Sequence, residues 1–201
     1  MRHMRGFIHG FVVLKDSDDK ILASGDVTQT PAGNRLTEIM TLRFKDGSLY
    51  QATTVFSQRR IFQLLKYKQV QKGPSFKRDE TLSLDTASGN VNIQYIDKDG
   101  KTKNITDRLS LPPDLANGMI PTLMGDIDPK AETTLSMLVS TPKPRVVRLK
   151  ISVFGRGVVL DRRHVRQSHA IHYQNRYWRR HRCGREGCRK AATACPYLGY
   201  G

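Results

Sequence analysis

The chain has 201 residues, which suits one domain with a tail, and its formal net charge is +16. Hydrophobic residues make up 38% of the chain and no run of 18 apolar residues occurs, so we expect no membrane-spanning helix. The basic residues change character along the chain. Residues 1–154 hold 10 Arg, 13 Lys and 16 acidic residues, whereas 155–201 hold 10 Arg, one Lys and two acidic residues. We treat 1–154 as the body and 155–201 as a tail.

The body reads as a series of strands in chain order. The first stretch, "MRHMRGFIHGFVVLK", has basic residues before a short apolar run but no small-x-small cleavage site. It therefore gives no clear signal peptide, and we predict a strand there. Strands are predicted at 7–15, 21–30, 35–45, 48–58, 61–71, 80–85, 91–97 and 101–111. Every second residue is apolar in "TLSLD" and "VNIQYI", and Asp-Gly at 46–47 and 99–100 suits tight hairpins.

The stretch "LPPDLANGMIPTLM" predicts a helix near 113–124. Leu115, Met119 and Leu123 would share one face, although Gly118 and Pro121 weaken the helix. Strands at 133–140 and 145–154 follow. Short connections favour antiparallel neighbours. The predicted fold is therefore all-β and mainly antiparallel, with about eight to ten strands. We expect a curved meander sheet or an incomplete barrel with one short helix packed on it.

Four ordered segments carry a resemblance. "FKDGSLYQATTVFSQRR", "QKGPSF", "LPPDLANGMIPTLM" and "TLSMLVSTPKPRVV" resemble a family of uncharacterised exported bacterial β-rich proteins, from about residue 6 to 154. The resemblance implies a periplasmic or extracellular protein and carries no activity with it. Members continue with further strands where this chain has its tail, so the body is expected to be truncated at its C-terminal end. The strand at 145–154 would then be unpaired on one side.

The Arg/His/Cys-rich tail is interpreted as an out-of-frame translation that is poorly ordered. Codons for Arg, His, Tyr and Cys, read one base late, give mainly Val, Ile, Ala, Thr and Gly. The printed "HYQNRYWRRHRCGREGCRK" is thus compatible with "IIKIDIGGVIAVVAKAVGK", a composition typical of strands. The hypothesis is a one-base frameshift near Phe154, and resequencing the locus tests it.

Two functional alternatives exist for the tail. A zinc site would use His181, Cys183, Cys188 and Cys195, but the spacing lacks the paired ligands of structural zinc sites, so we expect no metal. An Arg- and aromatic-rich run could bind nucleic acid or other polyanions through charge and stacking. Its residues are Arg176, Tyr177, Trp178, Arg179, Arg180 and Arg182. Because charge runs are weak evidence, we expect no specific nucleic-acid partner and keep polyanion binding as the alternative function.

The body shows no acid/base pair, nucleophile elbow or calcium loop, so no catalytic residue and no cofactor is predicted. The most unusual polar stretches are "VFSQRRIF" and "QKGPSF". Their candidate ligand-binding residues are Gln58, Arg59, Arg60 and Lys72, which could face a carboxylate or phosphate. A solvated turn is the simpler explanation. The leading functional hypothesis is a non-catalytic domain that binds an apolar or amphiphilic ligand, or a protein partner, on the concave face of its sheet.

Overall fold

The computed structural model describes residues 6–16, 18, 20–59, 61–124, 133–140, 143–160, 165–174 and 197–200, and from residue 151 onward it describes the backbone alone. Twelve strands and one short helix occur in these ranges. The strands are β1 (Ile8–Lys15), β2 (Ile21–Ala32), β3 (Arg35–Phe44), β4 (Leu49–Gln58), β5 (Phe62–Lys72), β6 (Glu80–Asp85), β7 (Asn90–Ile96), β8 (Thr102–Arg108), β9 (Thr133–Val139), β10 (Arg145–Leu160), β11 (Val165–Gln174) and β12 (Tyr197–Tyr200). The helix is α1 (Ile120–Met124).

The strands form two antiparallel sheets. The large sheet has the order β12-β1-β2-β3-β4-β5-β6-β7-β8, and the small sheet has the order β11-β10-β9. The large sheet is an open meander that does not close into a barrel. The predicted all-β, antiparallel class is confirmed, as is the predicted range of strands within the body. The two Asp-Gly hairpins are also confirmed, since Gly47 and Gly100 have φ of 85° and 74°.

Alternation gives the large sheet two distinct faces. The inward face carries the buried side chains, and its main cluster spans β3 to β7. Members of that cluster include Leu36, Phe56, Leu64, Leu82, Val91 and Ile93. A second cluster on the same face covers β1 to β3 and includes Val12, Val27, Met40 and Leu42. The outer face is dominated by Thr, Ser, Asn, Gln and Lys, as expected of an antiparallel sheet that is wet on one side.

Residues 112–124, the covering segment, lie between the two sheets. Leu115 and Met119 join the main cluster of the large sheet. Ala116 and Ile120 pack with Leu149 of the small sheet. The segment is also hydrogen-bonded to β9, because the Asn117 amide donates to Leu138 O at 2.9 Å and accepts from Leu138 N at 2.7 Å. The covering segment therefore connects both sheets through apolar contacts and hydrogen bonds.

The predicted helix at 113–124 is present only from Ile120 to Met124. Gly118 has a φ of 69°, which a right-handed helix cannot contain. Residues before it form turns, in which Leu115 N donates to Pro112 O at 3.2 Å and Met119 N to Ala116 O at 3.0 Å. The apolar face was predicted correctly, since Leu115 and Met119 are 3% and 1% exposed.

The prediction that 145–154 is unpaired along one side needs correction from Lys150 onward, whereas residues 145–149 pair with β9 alone. The backbone of β10 pairs with β9 from Arg145 to Ile151 and with β11 from Lys150 to Leu160. The strand therefore continues past the predicted domain boundary at Phe154 and lies in the middle of the small sheet. The register of the β10–β11 pairing shifts between Val153 and Gly155. The frame and the packing of the tail remain predictions.

Candidate functional site

The structure places Gln58 and Lys72, two of the four predicted site residues, at opposite ends of the β4–β5 ladder. Gln58 ends β4 on the inward face and is fully buried, with its backbone N–H donating to Asn34 O at 2.9 Å. Arg59 is exposed and Arg60 lies outside the described residues. Lys72 is exposed at the other end of the β4–β5 ladder, where it pairs with Leu49, while Gln58 pairs with Phe62. At ~3.3 Å per strand residue, about 30 Å separates Lys72 from Gln58.

A different set of polar residues meets on the inward face, at the end of the sheet where Lys72 lies. Tyr50, Gln71, Glu80 and Tyr95 stand directly opposite one another on β4, β5, β6 and β7. We name these four residues the polar row. Tyr50, Gln71 and Tyr95 are half-buried, whereas Glu80 is buried. Polar side chains on a face that is otherwise apolar require partners, because burying an unpaired polar group is costly.

A continuous chain of hydrogen bonds supplies those partners. The Tyr50 and Tyr67 hydroxyls are 3.1 Å apart, and Tyr67 donates to Gln69 Oε1 at 2.8 Å. Gln69 Nε2 then donates to Gln71 Oε1 at 3.0 Å, and Gln71 Nε2 donates to the carbonyl of Arg78 at 3.3 Å. This series of hydrogen bonds thus runs from β4 to the loop after β5, and it links the interior of the sheet to its rim.

The two tyrosines of this hydrogen-bond network, Tyr50 and Tyr67, resist ionisation. Burial raises the pKa of the Tyr50 hydroxyl, although its hydrogen bond with Tyr67 opposes that shift. Burial raises the pKa of Tyr67 well above its ordinary value, and the neighbouring Tyr50 adds to the effect. Both hydroxyls are therefore neutral near pH 7 and act as hydrogen-bonding groups rather than as bases.

The loop at 73–79 folds back against this end of the sheet. Its two ends are joined by Gly73 N donating to Asp79 Oδ1 at 2.8 Å. Ser75 anchors it to the β3–β4 turn, donating from N to Ser48 Oγ at 2.9 Å and from its hydroxyl to Asp46 Oδ2 at 2.6 Å. The bond from Ser75 is the main cause of the lowered pKa of Asp46, followed by those from Ser48. The loop therefore has a fixed position.

Arg78 extends a charged side chain from this loop onto the polar row. Its Nη2 and Nε lie 2.6 and 2.9 Å from Glu80 Oε2, and its guanidinium carbon is 3.8 Å from the centre of the Tyr95 ring. The Arg78 side chain is 22% exposed and that of Glu80 is 2% exposed. The two charges balance each other, so the end of the inward face is polar without a net charge.

Apolar side chains lie next to the polar row. Leu42 stands directly opposite Tyr50 across β3 and β4. Phe44, two residues further along β3, meets Phe76 of the loop edge-to-face with ring centres 5.3 Å apart. Both rings are half-buried. The end of the inward face thus presents an aromatic, apolar side and a hydrogen-bonding side within one surface.

A second polar cluster on the inward face is closed. Gln29 Nε2 donates to Glu38 Oε2 and to Thr122 Oγ1, both at 2.6 Å. The Thr122 hydroxyl donates in turn to Glu38 Oε2. All three residues are at most 5% exposed. This cluster links α1 to β2 and β3 and is buried together with the covering segment.

The predicted polar stretch "QKGPSF" lies beside this surface, but the residues that make the surface polar were not predicted from the sequence. The signal was the alternation in β5, where Tyr67, Gln69 and Gln71 occupy every second position. Those positions share a face with apolar residues of the neighbouring strands. Glutamines at inward positions were therefore the visible exception to the apolar pattern.

The remaining predicted features fall outside the described part of the chain. These include the four residues weighed as zinc ligands and the Arg- and aromatic-rich run at 176–182. Within the described residues, no group of three or more His, Cys, Asp or Glu side chains could hold a metal ion. No helix there is long and apolar enough to cross a membrane. Comparisons with protein-family models, curated proteins and solved structures find no match to this chain.

Proposed function

We propose that this chain is a non-catalytic binding domain that holds an amphiphilic ligand at the end of its inward face. The ligand's polar head would lie against the polar row, and its apolar part against Phe44 and Phe76. This site deepens the function expected from the sequence, a ligand held on the concave side of a β-sheet.

The contrast between the two polar clusters carries the proposal. The cluster of Gln29, Glu38 and Thr122 is buried together with the covering segment, whereas Tyr50, Gln71 and Tyr95 of the polar row are only half-buried. A hydrogen-bonded row beside apolar rings, open at one end of a sheet, is the usual character of a small-molecule site. Three groups of the row already have partners outside it, since Tyr50, Gln71 and Glu80 bond to Tyr67, Gln69 and Arg78 respectively.

The charges of the site indicate the kind of head group. Arg78 is already paired with Glu80, so no net charge faces the ligand. A neutral or zwitterionic head can exchange hydrogen bonds with Gln71 and the Tyr50 hydroxyl without leaving a charge unpaired. An export route to the periplasm or cell exterior is part of the same proposal and rests on the resemblance of the body to exported proteins.

The test is fluorescence titration of the full chain with a dansyl-labelled lysophosphatidylcholine, which has one acyl chain and a zwitterionic head. Gln71→Leu should weaken binding about five-fold or more, because it removes one neutral hydrogen-bonding group from the head site. Gln94→Leu is the matched control, since Gln94 is exposed on the outer face of β7 and should leave binding unchanged.

Circular dichroism at the same concentrations checks that both variants are folded. Absence of saturable binding by the parent chain would overturn the proposal. Equal weakening by the two glutamine variants would also overturn it, because the probe would then be reporting general hydrophobic association.

A further inference from the structure

A groove of about 450 Å³ lies on the outer face of the large sheet, across β4 to β7. One row of its lining consists of Thr53, Lys68, Ser83 and Asn92, which stand directly opposite one another. Side chains directly opposite in a sheet are ~5 Å apart at Cβ, so these four groups can contact one small molecule together. The groove is on the opposite side of the sheet from the polar row.

The second row of the groove contains an ion pair that is complete in itself. Lys66 Nζ lies 3.6 Å from Asp85 Oδ2. Asp85 Oδ1 accepts the backbone N–H of Ala87 at 3.0 Å and of Ser88 at 3.1 Å. The bond from Ser88 is the largest cause of the lowered pKa of Asp85, and Lys66 contributes to it. Asp85 is therefore a carboxylate near neutral pH and balances the charge of Lys66.

Lys68 is left as the unbalanced charge of the groove. It is exposed, and no acidic side chain of the described residues forms a salt bridge with it. Its neighbours across the strands are the hydroxyls of Thr53 and Ser83. The groove thus presents one free cation surrounded by groups that can both donate and accept hydrogen bonds.

The floor of the groove is apolar between these polar groups. Val55 lies beside Lys66, and the aliphatic stems of Lys66 and Lys68 add further apolar surface. The side chain of Tyr67, the one aromatic residue among the groove's described neighbours, belongs to the inward face. The groove therefore offers no ring on which a nucleic-acid base could stack.

We propose that this outer groove binds an acidic saccharide, with the anionic group on Lys68. A sugar ring has an apolar face of C–H groups, which suits the floor, and a rim of hydroxyls, which suits Ser83, Asn90 and Asn92. The shared chemistry is a carboxylate or phosphate attached to a polyhydroxylated ring. The proposal is independent of the amphiphile site, which uses the other face.

The test is isothermal titration of the full chain with a trimer of galacturonic acid, with its neutral methyl ester and with glucose 6-phosphate. Lys68→Gln should weaken binding of the acidic trimer about five-fold or more, because a solvent-exposed charged hydrogen bond is lost. Lys72→Gln is the matched control, since it removes the same charge from the same strand and face. It should change the affinity by less than two-fold. Glucose 6-phosphate distinguishes phosphate from carboxylate as the anionic group.

Three outcomes would overturn the proposal. Equal loss in Lys68→Gln and Lys72→Gln would show diffuse attraction to basic residues, including those of the tail. Equal affinity for the neutral methyl ester and the acidic trimer would show that Lys68 does not bind the anionic group. A single-stranded oligonucleotide that responds to Lys68→Gln, while the acidic trimer does not, would assign the groove to nucleic acid.

Discussion

A single hydroxyl, that of Thr122, links the covering segment to the buried Glu38 and Gln29 of the sheet. Thr122→Val keeps the shape of the side chain and removes this link. The variant should lose about 1–3 kcal/mol in its free energy of unfolding, because buried polar groups of Glu38 and Gln29 lose a partner. Urea denaturation followed by circular dichroism measures the loss.

Thr106→Val is the control for that measurement. Thr106 also donates to a side chain, Asn92 Oδ1 at 3.0 Å, but it is exposed on β8. Water replaces that partner, so the change should stay within about 0.5 kcal/mol. If both variants lose the same free energy, the buried cluster has no special role in holding α1.

Gly118 is a second residue on which the covering segment depends. Its φ is +69°, and a Cβ there would meet the Thr54 hydroxyl and lie 2.8 Å from Tyr67 Cε2. Gly118→Ala should therefore destabilise the fold by about 2–5 kcal/mol, through left-handed backbone strain and overpacking. Thermal and urea unfolding measure the effect.

Gly33→Ala separates those two causes. Gly33 also has a positive φ, +58°, but nothing lies within 4 Å of the position that a Cβ would occupy there. Gly33→Ala should lose only the part of the unfolding free energy that comes from left-handed backbone strain, about 1–2 kcal/mol. Equal losses at Gly33 and Gly118 would contradict the close packing of the covering segment on Tyr67.

The raised pKa of Tyr67 predicts a loss of stability in alkali. The unfolded chain ionises this tyrosine near its ordinary pKa of about 10, while the folded chain keeps it neutral. Its contribution is therefore complete below pH ~10 and is lost as the pH rises towards the folded pKa. Tyr67→Phe should flatten the decline between about pH 9.5 and 11.5, as measured by urea midpoints.

Tyr95→Phe is the control. It removes a hydroxyl from the same inward face, but that hydroxyl does not belong to the series of hydrogen bonds from Tyr50 to Gln71. It should retain the alkaline decline of the parent. A Tyr67→Phe curve that falls as steeply as the parent curve would show that other groups cause the decline.

Which side chains point inward could be read from the sequence wherever apolar residues alternate, as in β6 and β7. The polar row could not be read in the same way. Tyr50 lies on β4 and Gln71 on β5, and only the register of these two strands places them directly opposite each other. The predicted residue Lys72 ends β5 directly before the loop at 73–79, but it faces outward. A one-residue difference in a strand reverses the face, which local composition does not settle.

At the scale of elements, strand existence was easier to predict than the ends of elements. Strong turn residues bound β6 and β7, and both were placed within a residue. The helix was predicted too long because Leu115, Met119 and Leu123 keep helical spacing through the turns before α1. Their burial comes from contact with both sheets rather than from a long helix. The extent of β10 depends on β11, and no local pattern reveals that pairing.

The edge strand β8 carries a prediction of its own. It lies at the end of the large sheet, and six of its seven residues are exposed. Charged side chains on an edge discourage pairing with other chains. Lys103→Val should therefore cause association that grows with protein concentration, measured by light scattering.

Lys68→Val is the matched variant for the edge. It removes the same charge and adds the same side chain, but β5 is paired on both sides. It should remain as monomeric as the parent chain. Similar association of both variants would show that exposed apolar surface, rather than the free edge, is responsible.

At the scale of the whole molecule, the sequence predicted the fold class, whereas the reading frame of residues 155–201 stays a hypothesis. If the frame changes near Phe154, the change falls within β10. The restored sequence replaces Arg-rich tail residues by Val, Ile and Ala, and each such side chain that becomes buried contributes ~1.5–3 kcal/mol. We expect the frame-restored chain to melt roughly 5–20 °C higher than this one.

Thermal unfolding of both chains at matched concentration is the measurement. Sedimentation should show that the frame-restored chain is monomeric, whereas the chain with the present tail is expected to aggregate more readily. Equal melting midpoints with two monomeric chains would mean that the tail is a legitimate or an irrelevant part of the fold.

The meander order has a consequence for how the molecule forms. Each of β1 to β8 pairs with its neighbour along the chain, whereas β12 reaches β1 from the opposite terminus. Closing short loops costs little chain entropy, and low contact order favours rapid folding. The sheet can thus grow hairpin by hairpin as the polypeptide leaves the ribosome, from β1 towards β8. The β1–β12 pairing must wait until β12 itself has been synthesised, so until then β1 has no β12 partner on that side.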